Sequence, residues 1–329
     1  METMRAGNFL APGNITFEER AEKPAMQEGH LLVRTHLASI CGSDLHTVFH
    51  GVLRQPFPHP PGFPGHEGTG EVLESLHPDF KKGDHVLTCP SPGVAATFAE
   101  YQVIDGNYCL KLPPYDGPEA HLLMAQQLGT VIFALRQCPQ DLVGKTVMVQ
   151  GQGSAGMFFA YLAKRAGAAK VIVSDLSEAR LAASAGMGAD VAVRVGGDNV
   201  LQAVMDHTGG QGADFLVEAV GSRESLLEAV SLARLGADML MFGLPDSTSP
   251  VPYNFHDFFR KKLRMVSTYG TQEEPGRVSF QMALNLIANK EVDVSPLVKD
   301  FFPIEEVNTA MAAANDRGNN MLKVSLTFD

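Results

Sequence analysis

The apolar positions of this chain follow two rhythms, and the change falls near Leu128. Up to about residue 127 they come in short runs, "HLLVRTHLASI", "GTGEVLES", "GDHVLTC" and "FAEYQVI", each cut off by Gly or Pro. Runs of that length between turn residues predict an all-β domain with irregular loops. The stretch "QPFPHPPGFPGHEG", Gln55 to Gly68, is too rich in Pro and Gly for regular structure and predicts a shaped loop. Beyond Leu128 the compact run "TVMVQ" is followed by the helix-like "MFFAYLAKRAGA", the strand-like "KVIVSD" and the helical "SEARLAASAGMGA". The alternation continues through "DVAVRV", "VLQAVMDHTGG", "DFLVEAVG", "ESLLEAVSLARLG", "DMLMFG" and "LRMVSTYG". Strands alternating with helices predict an α/β fold with a doubly wound parallel sheet between about residues 145 and 270. The tail, with "VSFQMALNLIANKEV" and "IEEVNTAMAAAND", reads as helical and is expected to pack back onto the first domain.

A length of 329 residues fits two domains better than one. The formal net charge of −11 offers no general attraction to phosphate backbones or anionic lipid, so nucleic acid and membrane surfaces are not expected partners. The start, "METMRAGNFLAPGN", has no continuous apolar segment, and no run elsewhere has the length of a membrane span; a cytoplasmic protein is the expectation. Four cysteines, Cys41, Cys89, Cys109 and Cys138, are too few for a disulfide framework in a chain of this size and read as thiols, one of them a candidate ligand.

In "VQGQGSAG", Gly151, Gly153 and Gly156 carry the G-x-G-x-x-G spacing between a strand and a helix. The first glycine permits a tight turn, the second lets backbone approach a pyrophosphate, and the third allows close helix–strand packing at a helix N-terminus that favours negative charge. Asp175 ends the next strand, where a carboxylate can accept from the ribose hydroxyls of NAD and would repel a 2′-phosphate. Arg180, about one helical turn on, is the nearby cation that bears on NADP. The plainer role for Asp175 is a cap on the following helix.

Cys41 in "CGSDLH" and His66 in "GHEGTGEV" are ligand types suited to zinc, with Glu67 adjacent. Taken singly, such a cysteine is a small buried hydrophobe and such a histidine a hydrogen-bond partner. Together, upstream of a dinucleotide fold, the two motifs resemble the zinc-dependent medium-chain dehydrogenase/reductase family, in its sorbitol-like polyol branch. The resemblance implies a GroES-like β-rich catalytic domain, residues 1–127 and 271–329, and a Rossmann cofactor domain, residues 128–270. It implies that Cys41 and His66 bind catalytic zinc, that Ser43 takes the substrate proton, that His46 passes it towards solvent, and that Asp44 orients the ligand histidine. Thr130 falls where the family packs a residue on the nicotinamide, while Gly221 and Gly243 follow strand ends that line the cofactor crevice of any doubly wound sheet.

Two departures from the family are visible. Its third zinc ligand is a cysteine or glutamate on the connecting segment, where "AQQLGT" places Gln126, a neutral and weaker donor. Glu67 can complete the shell, giving Cys41, His66, Glu67 and Gln126 as the ligand set. The structural-zinc lobe, which needs four closely spaced cysteines, has only Cys89 in its place, so one catalytic zinc and no structural zinc are expected. His50, His59 and His85 read as loop or surface histidines. The leading function is NAD-dependent hydride transfer between a secondary alcohol or polyol and the nicotinamide. A zinc-free quinone or enoyl-type reductase of the same fold and a non-catalytic nucleotide-binding protein are the competing readings. The "LRMVSTYG" strand at a sheet edge and the resemblance imply a homodimer or homotetramer.

Overall fold

The computed structural model describes residues 3–51, 57–91, 96–138, 141–316 and 318–328, and divides into two units. One comprises Met1–Thr130, Thr271–Asp316 and Lys323–Asp329, the other Val131–Gly270 and Arg317–Leu322.

In the first unit, β1 (Thr3–Ala11) and β2 (Asn14–Glu22) form an antiparallel hairpin closed by Pro12 and Gly13, the glycine at φ +76°. No apolar run marks this hairpin in the sequence, because its strands, "TMRAGNFLA" and "NITFEERAE", mix small and charged residues without clean alternation. Next come β3 (His30–Ser39), the short α1 (Gly42–Leu45), a π-helical turn over His46–His50, β4 (Glu67–Ser75), β5 (His85–Thr88), β6 (Tyr101–Asp105) and β7 (Cys109–Lys111). Helix α2 (Glu119–Leu123) leads into α3 (Ala125–Gln137).

The second unit carries β8 (Thr146–Gln150), α4 (Ser154–Arg165), β9 (Lys170–Asp175), α5 (Glu178–Ala185), β10 (Val191–Arg194), α6 (Val200–His207), β11 (Ala213–Glu218), α7 (Arg223–Leu232), β12 (Ala233–Met241), α8 (Phe255–Arg260) and β13 (Arg264–Ser267). Its strands form a parallel sheet in the order β10-β9-β8-β11-β12-β13, the doubly wound arrangement whose strand order reverses beside β8. Met148, Ile172, Leu216 and Met239 are fully buried in its core, which is why these strands read as unbroken apolar runs. β13 is the edge strand, with Met265 39% exposed.

One element differs from the expected pattern. The stretch "SLARLG" reads as helix, yet α7 ends at Leu232 and β12 begins at Ala233. Lys261 sets that end: its ammonium donates to the carbonyls of Val230 (2.9 Å), Ser231 (3.1 Å) and Ala233 (2.7 Å). A cation at a helix C-terminus satisfies the last carbonyls and opposes the dipole. Arg234 then pairs with Asp214 on β11 at 2.7 Å.

The chain completes the first unit with α9 (Val278–Ala288), β14 (Asp300–Pro303), α10 (Val307–Asn315) and β15 (Val324–Thr327). β15 pairs antiparallel with β3, so the seven-stranded sheet runs β14-β15-β3-β4-β5-β7, with β6 also on β3. The side chains of Leu31, Val33, Val72, Val86 and Ile104 form the core beneath β3 to β6.

Candidate active site

Two elements of the first unit converge on one cluster. Cys41 precedes α1, His66 and Glu67 stand at the start of β4, and one ligand atom from each lies within 4.8 Å of the others. The α1 turn brings Asp44 back beneath this group: Asp44 Oδ2 accepts from the Cys41 backbone N–H at 2.8 Å, and Oδ1 lies 2.9 Å from His66 Nδ1. His66 Nδ1 also faces the Pro64 carbonyl at 3.3 Å, which leaves Nε2 as the nitrogen turned to the cluster. Burial alone would push the His66 imidazolium down, but the Asp44 carboxylate and Cys41 hold its pKa well above the ordinary range. Ser43 Oγ sits 3.3 Å from His66 Nε2, and the Thr47 hydroxyl donates to the Ser43 carbonyl at 2.8 Å. The His46 ring lies 5.4 Å from the ring of His50.

Glu67 is 1% exposed, and Ser39 Oγ and Lys323 Nζ hold its Oε2, the latter at 2.6 Å. Burial pushes the Glu67 carboxyl up, and Lys323 and His66 reverse this to hold it below the usual range. Lys323 is buried likewise and kept charged by Glu67 against the cost of burial. Glu67 Oε1 is buried and has no hydrogen-bond partner. Thiol, imidazole and carboxylate are the donor types that zinc takes, and an orphaned carboxylate oxygen beside them is the kind of group a cation satisfies, so these residues fit a zinc ion. Gln126 is buried in the first turn of α3, and the next side chain, Gln127, accepts from Lys323 Nζ at 3.4 Å. Thr130 donates to the Gln126 carbonyl at 3.0 Å.

Lys323 escaped the sequence reading. The signal available was a lysine inside the apolar "MLKVSLTF", where a charge is out of place unless it is paired. Cys89 and Cys109 are no part of the cluster, and burial pushes the Cys89 thiol up to about 12 and that of Cys109 well above the ordinary value. His59 is a loop histidine, as expected, but a buried one: it is 9% exposed and stacks on Phe63 with ring centroids 4.3 Å apart. His85 is the surface histidine expected, half exposed at the start of β5 with its Nδ1 3.3 Å from Glu119.

In the second unit the glycine-rich turn has the anticipated mechanics. Gly151 adopts φ +85°, and its N–H donates to Ser174 at 2.8 Å. Gly153 caps α4, and a Cβ built there would meet nothing within 4 Å, leaving room for a ligand. A Cβ on Gly156 would stand 1.9 Å from the Gly151 carbonyl oxygen. Asp175 is committed to backbone on both oxygens: Oδ2 accepts from Gln152 N at 2.6 Å and Oδ1 from Ser177 N at 2.8 Å. The cap on α5 is Ser177, which accepts from Arg180 N at 3.4 Å, so Asp175 does not serve as that cap. Arg180 Nε is buried without a hydrogen-bond partner.

Gly221 and Gly243 pack against one another. A Cβ on Gly243 would fall 2.2 Å from Gly221 N, and one on Gly221 would fall 2.0 Å from the Leu244 carbonyl oxygen. Glu218, which the sequence reading missed, organises this crossing: its Oε1 accepts from Val220 N and Gly221 N, both at 2.9 Å, and from Ser225 Oγ at 2.7 Å.

Among the described residues, no helix is long and apolar enough to cross a membrane. The chain matches the alcohol dehydrogenase GroES-like domain over residues 27–114 and the zinc-binding dehydrogenase domain over residues 155–289. It is 28% identical to the sorbitol dehydrogenase of Mus musculus over 334 residues, 92% of this chain and 90% of that one. It is 27% identical to the sorbitol dehydrogenase of Bacillus subtilis over 331 residues, 92% of this chain and 91% of the relative. The alcohol dehydrogenase of Thermus sp. ATN1 superposes with a TM-score of 0.81 at 26% identity, covering 98% of this chain and 99% of that one. The paired domain matches, their order, and the full-length likeness to these dehydrogenases make the chain an oxidoreductase belonging to the zinc-dependent medium-chain dehydrogenase/reductase family, in its alcohol dehydrogenase class.

Proposed function

We propose that the protein interconverts a secondary alcohol or polyol and the corresponding ketone with NAD as hydride acceptor, using the Cys41, His66 and Glu67 cluster as the centre of the chemistry. The observation that carries the reading is the convergence of thiol, imidazole and a half-unpartnered carboxylate within 4.8 Å. The full-length likeness to sorbitol dehydrogenases supports the polyol class of substrate. Cys41, His66 and Glu67 would hold one zinc ion, with Gln126 as a fourth donor directly or through water. Zinc, when bound there, supplies Lewis-acid polarisation of the substrate oxygen.

The chain's own residues then divide the work. Asp44 fixes the His66 ring through Nδ1, so that Nε2 is the nitrogen offered to the cluster. Ser43 Oγ, beside that nitrogen, receives the hydroxyl proton of the substrate, and His46 relays it onward. Lys323 offsets the negative charge of Glu67, which keeps that carboxylate ionised out of water. Gly153 and the α4 N-terminus bind the dinucleotide pyrophosphate. Asp175 accepts from the ribose hydroxyls with its remaining lone pairs, which favours NAD, and Thr130 packs against the nicotinamide. Gly221 and Gly243 form the strand-end backbone of that crevice. We assign the protein to the cytoplasm and to a homodimer or homotetramer built on the β13 edge.

A panel of secondary alcohols and polyols, followed by NADH and NADPH absorbance and accompanied by zinc analysis, tests the reading. Turnover with NAD that disappears in Cys41→Ala and His66→Ala is the expected result. Full activity in both variants, with no zinc in the protein, would overturn it in favour of a zinc-free reductase.

A further inference from the structure

Residues His36, His85 and Glu119 form a second convergence in the first unit, apart from the cluster above. Each offers one ligand atom, and these atoms lie within 4.8 Å of one another. His36 Nδ1 is 3.1 Å from Glu119 Oε1, His85 Nδ1 is 3.3 Å from Glu119 Oε2, and the two imidazole rings meet edge-on with centroids 5.3 Å apart. The backbone departs from regularity to make this meeting. Thr35 pairs with Gly70 and Leu37 with Thr69, so His36 is the extra residue of a β-bulge in β3. A bulge interrupts the in-out alternation and re-aims a side chain. β5 supplies His85, opposite Glu71, and α2 supplies Glu119 as its first residue. His85 and Glu119 also line an open cleft of about 520 Å³ together with Lys111 and Tyr115.

We propose that His36, His85 and Glu119 are a second metal site, taking a borderline transition-metal dication of the zinc type. Two imidazoles and a carboxylate are the donor set such ions prefer over calcium or magnesium. From the single oxygen Oε2 of Glu119, His36 Nδ1 and His85 Nδ1 both lie 3.3 Å away, close to the edge of ~3.4 Å that bonds of about 2.0–2.1 Å give around tetrahedral zinc. His85 is half exposed, so its ring can adjust to close the set. Water or a small anion from the cleft would take the remaining coordination positions.

The test is Zn(II) binding by the full chain, measured by chelator competition and by metal content after desalting. It compares the unaltered protein with His85→Ala, Glu119→Gln and Cys41→Ala. The expected result is two equivalents in the unaltered protein and loss of one in His85→Ala and in Glu119→Gln, with dehydrogenase turnover retained in both. Cys41→Ala should keep the second equivalent, and Co(II) bound to it should lack a thiolate charge-transfer band. Equal zinc uptake by the unaltered protein, His85→Ala and Glu119→Gln would overturn the proposal and leave His36, His85 and Glu119 as a hydrogen-bonded group only. Failure of the catalytic reading is separate: Cys41→Ala would then leave the zinc count unchanged while His85→Ala still lowers it.

Discussion

Lys323 Nζ lies 2.6 Å from Glu67 Oε2, and both side chains are almost completely withdrawn from solvent. The pair lets a carboxylate stay ionised in a place where burial would otherwise neutralise it. It also divides the carboxylate, because one oxygen is held by Lys323 and Ser39 and the other is left without a partner. A glutamate shared in this way is a weaker cation ligand than a free one.

Removing one half of the pair is predicted to be costly. Lys323→Met strands a buried anion, and breaking a buried pair costs about 3–5 kcal/mol. Denaturant unfolding should show that loss, and the double variant Lys323→Met with Glu67→Gln should recover much of it. A single variant as stable as the original would refute the pairing as a source of stability.

Gly156→Ala is predicted to abolish dinucleotide binding while leaving the first unit folded. The added methyl would meet the Gly151 carbonyl 1.9 Å away, and backbone rather than a flexible side chain would have to move. Calorimetry with NAD reads the affinity directly, and an unchanged dissociation constant would contradict the assignment of the loop.

The C-terminus of α7 depends on a side chain from outside it. Lys261→Met deprives three carbonyls of their charged donor, a loss of about 2–3 kcal/mol. Thermal unfolding should register it in the second unit, whereas substitution of the exposed Lys262 should have no comparable effect.

Glu218 makes a prediction about pH. Burial raises its carboxyl above the ordinary value of 4.5 in spite of three hydrogen bonds. A raised carboxyl pKa means the folded state holds the proton more tightly than the unfolded one. Its contribution is therefore full below 4.5 and is lost as the pH rises through the folded value. Glu218→Gln should lose less stability than the original protein as the pH rises above 4.5. Parallel stability profiles for the two proteins would show that the carboxyl is not perturbed.

The central parallel strands were legible because they are buried on both faces and so spell continuous apolar words, as in "KVIVSD" and "DFLVEA". The glycine turn and the Cys41 and His66 motifs were legible because their chemistry is local in sequence. The end of α7 was not, since "SLARLG" has helical composition and only Lys261 and the Arg234–Asp214 pair dictate where the helix stops. Lys323 and the His36, His85 and Glu119 group were hidden for the same reason. Each becomes meaningful only through pairings between distant strands, and His36 further requires a bulge that no periodicity announces.

The pairing of β15 with β3 also has a consequence in time. On a ribosome, Glu67 emerges with β4 long before Lys323 is made, so the acid lacks its cationic partner throughout synthesis of the nucleotide-binding half. The β3 edge and the Glu67 carboxylate are both completed only when the last strand arrives. A chain stalled or cut before residue 323 should present an intact dinucleotide fold tethered to an unfinished catalytic one, a species that quality-control proteases would meet first.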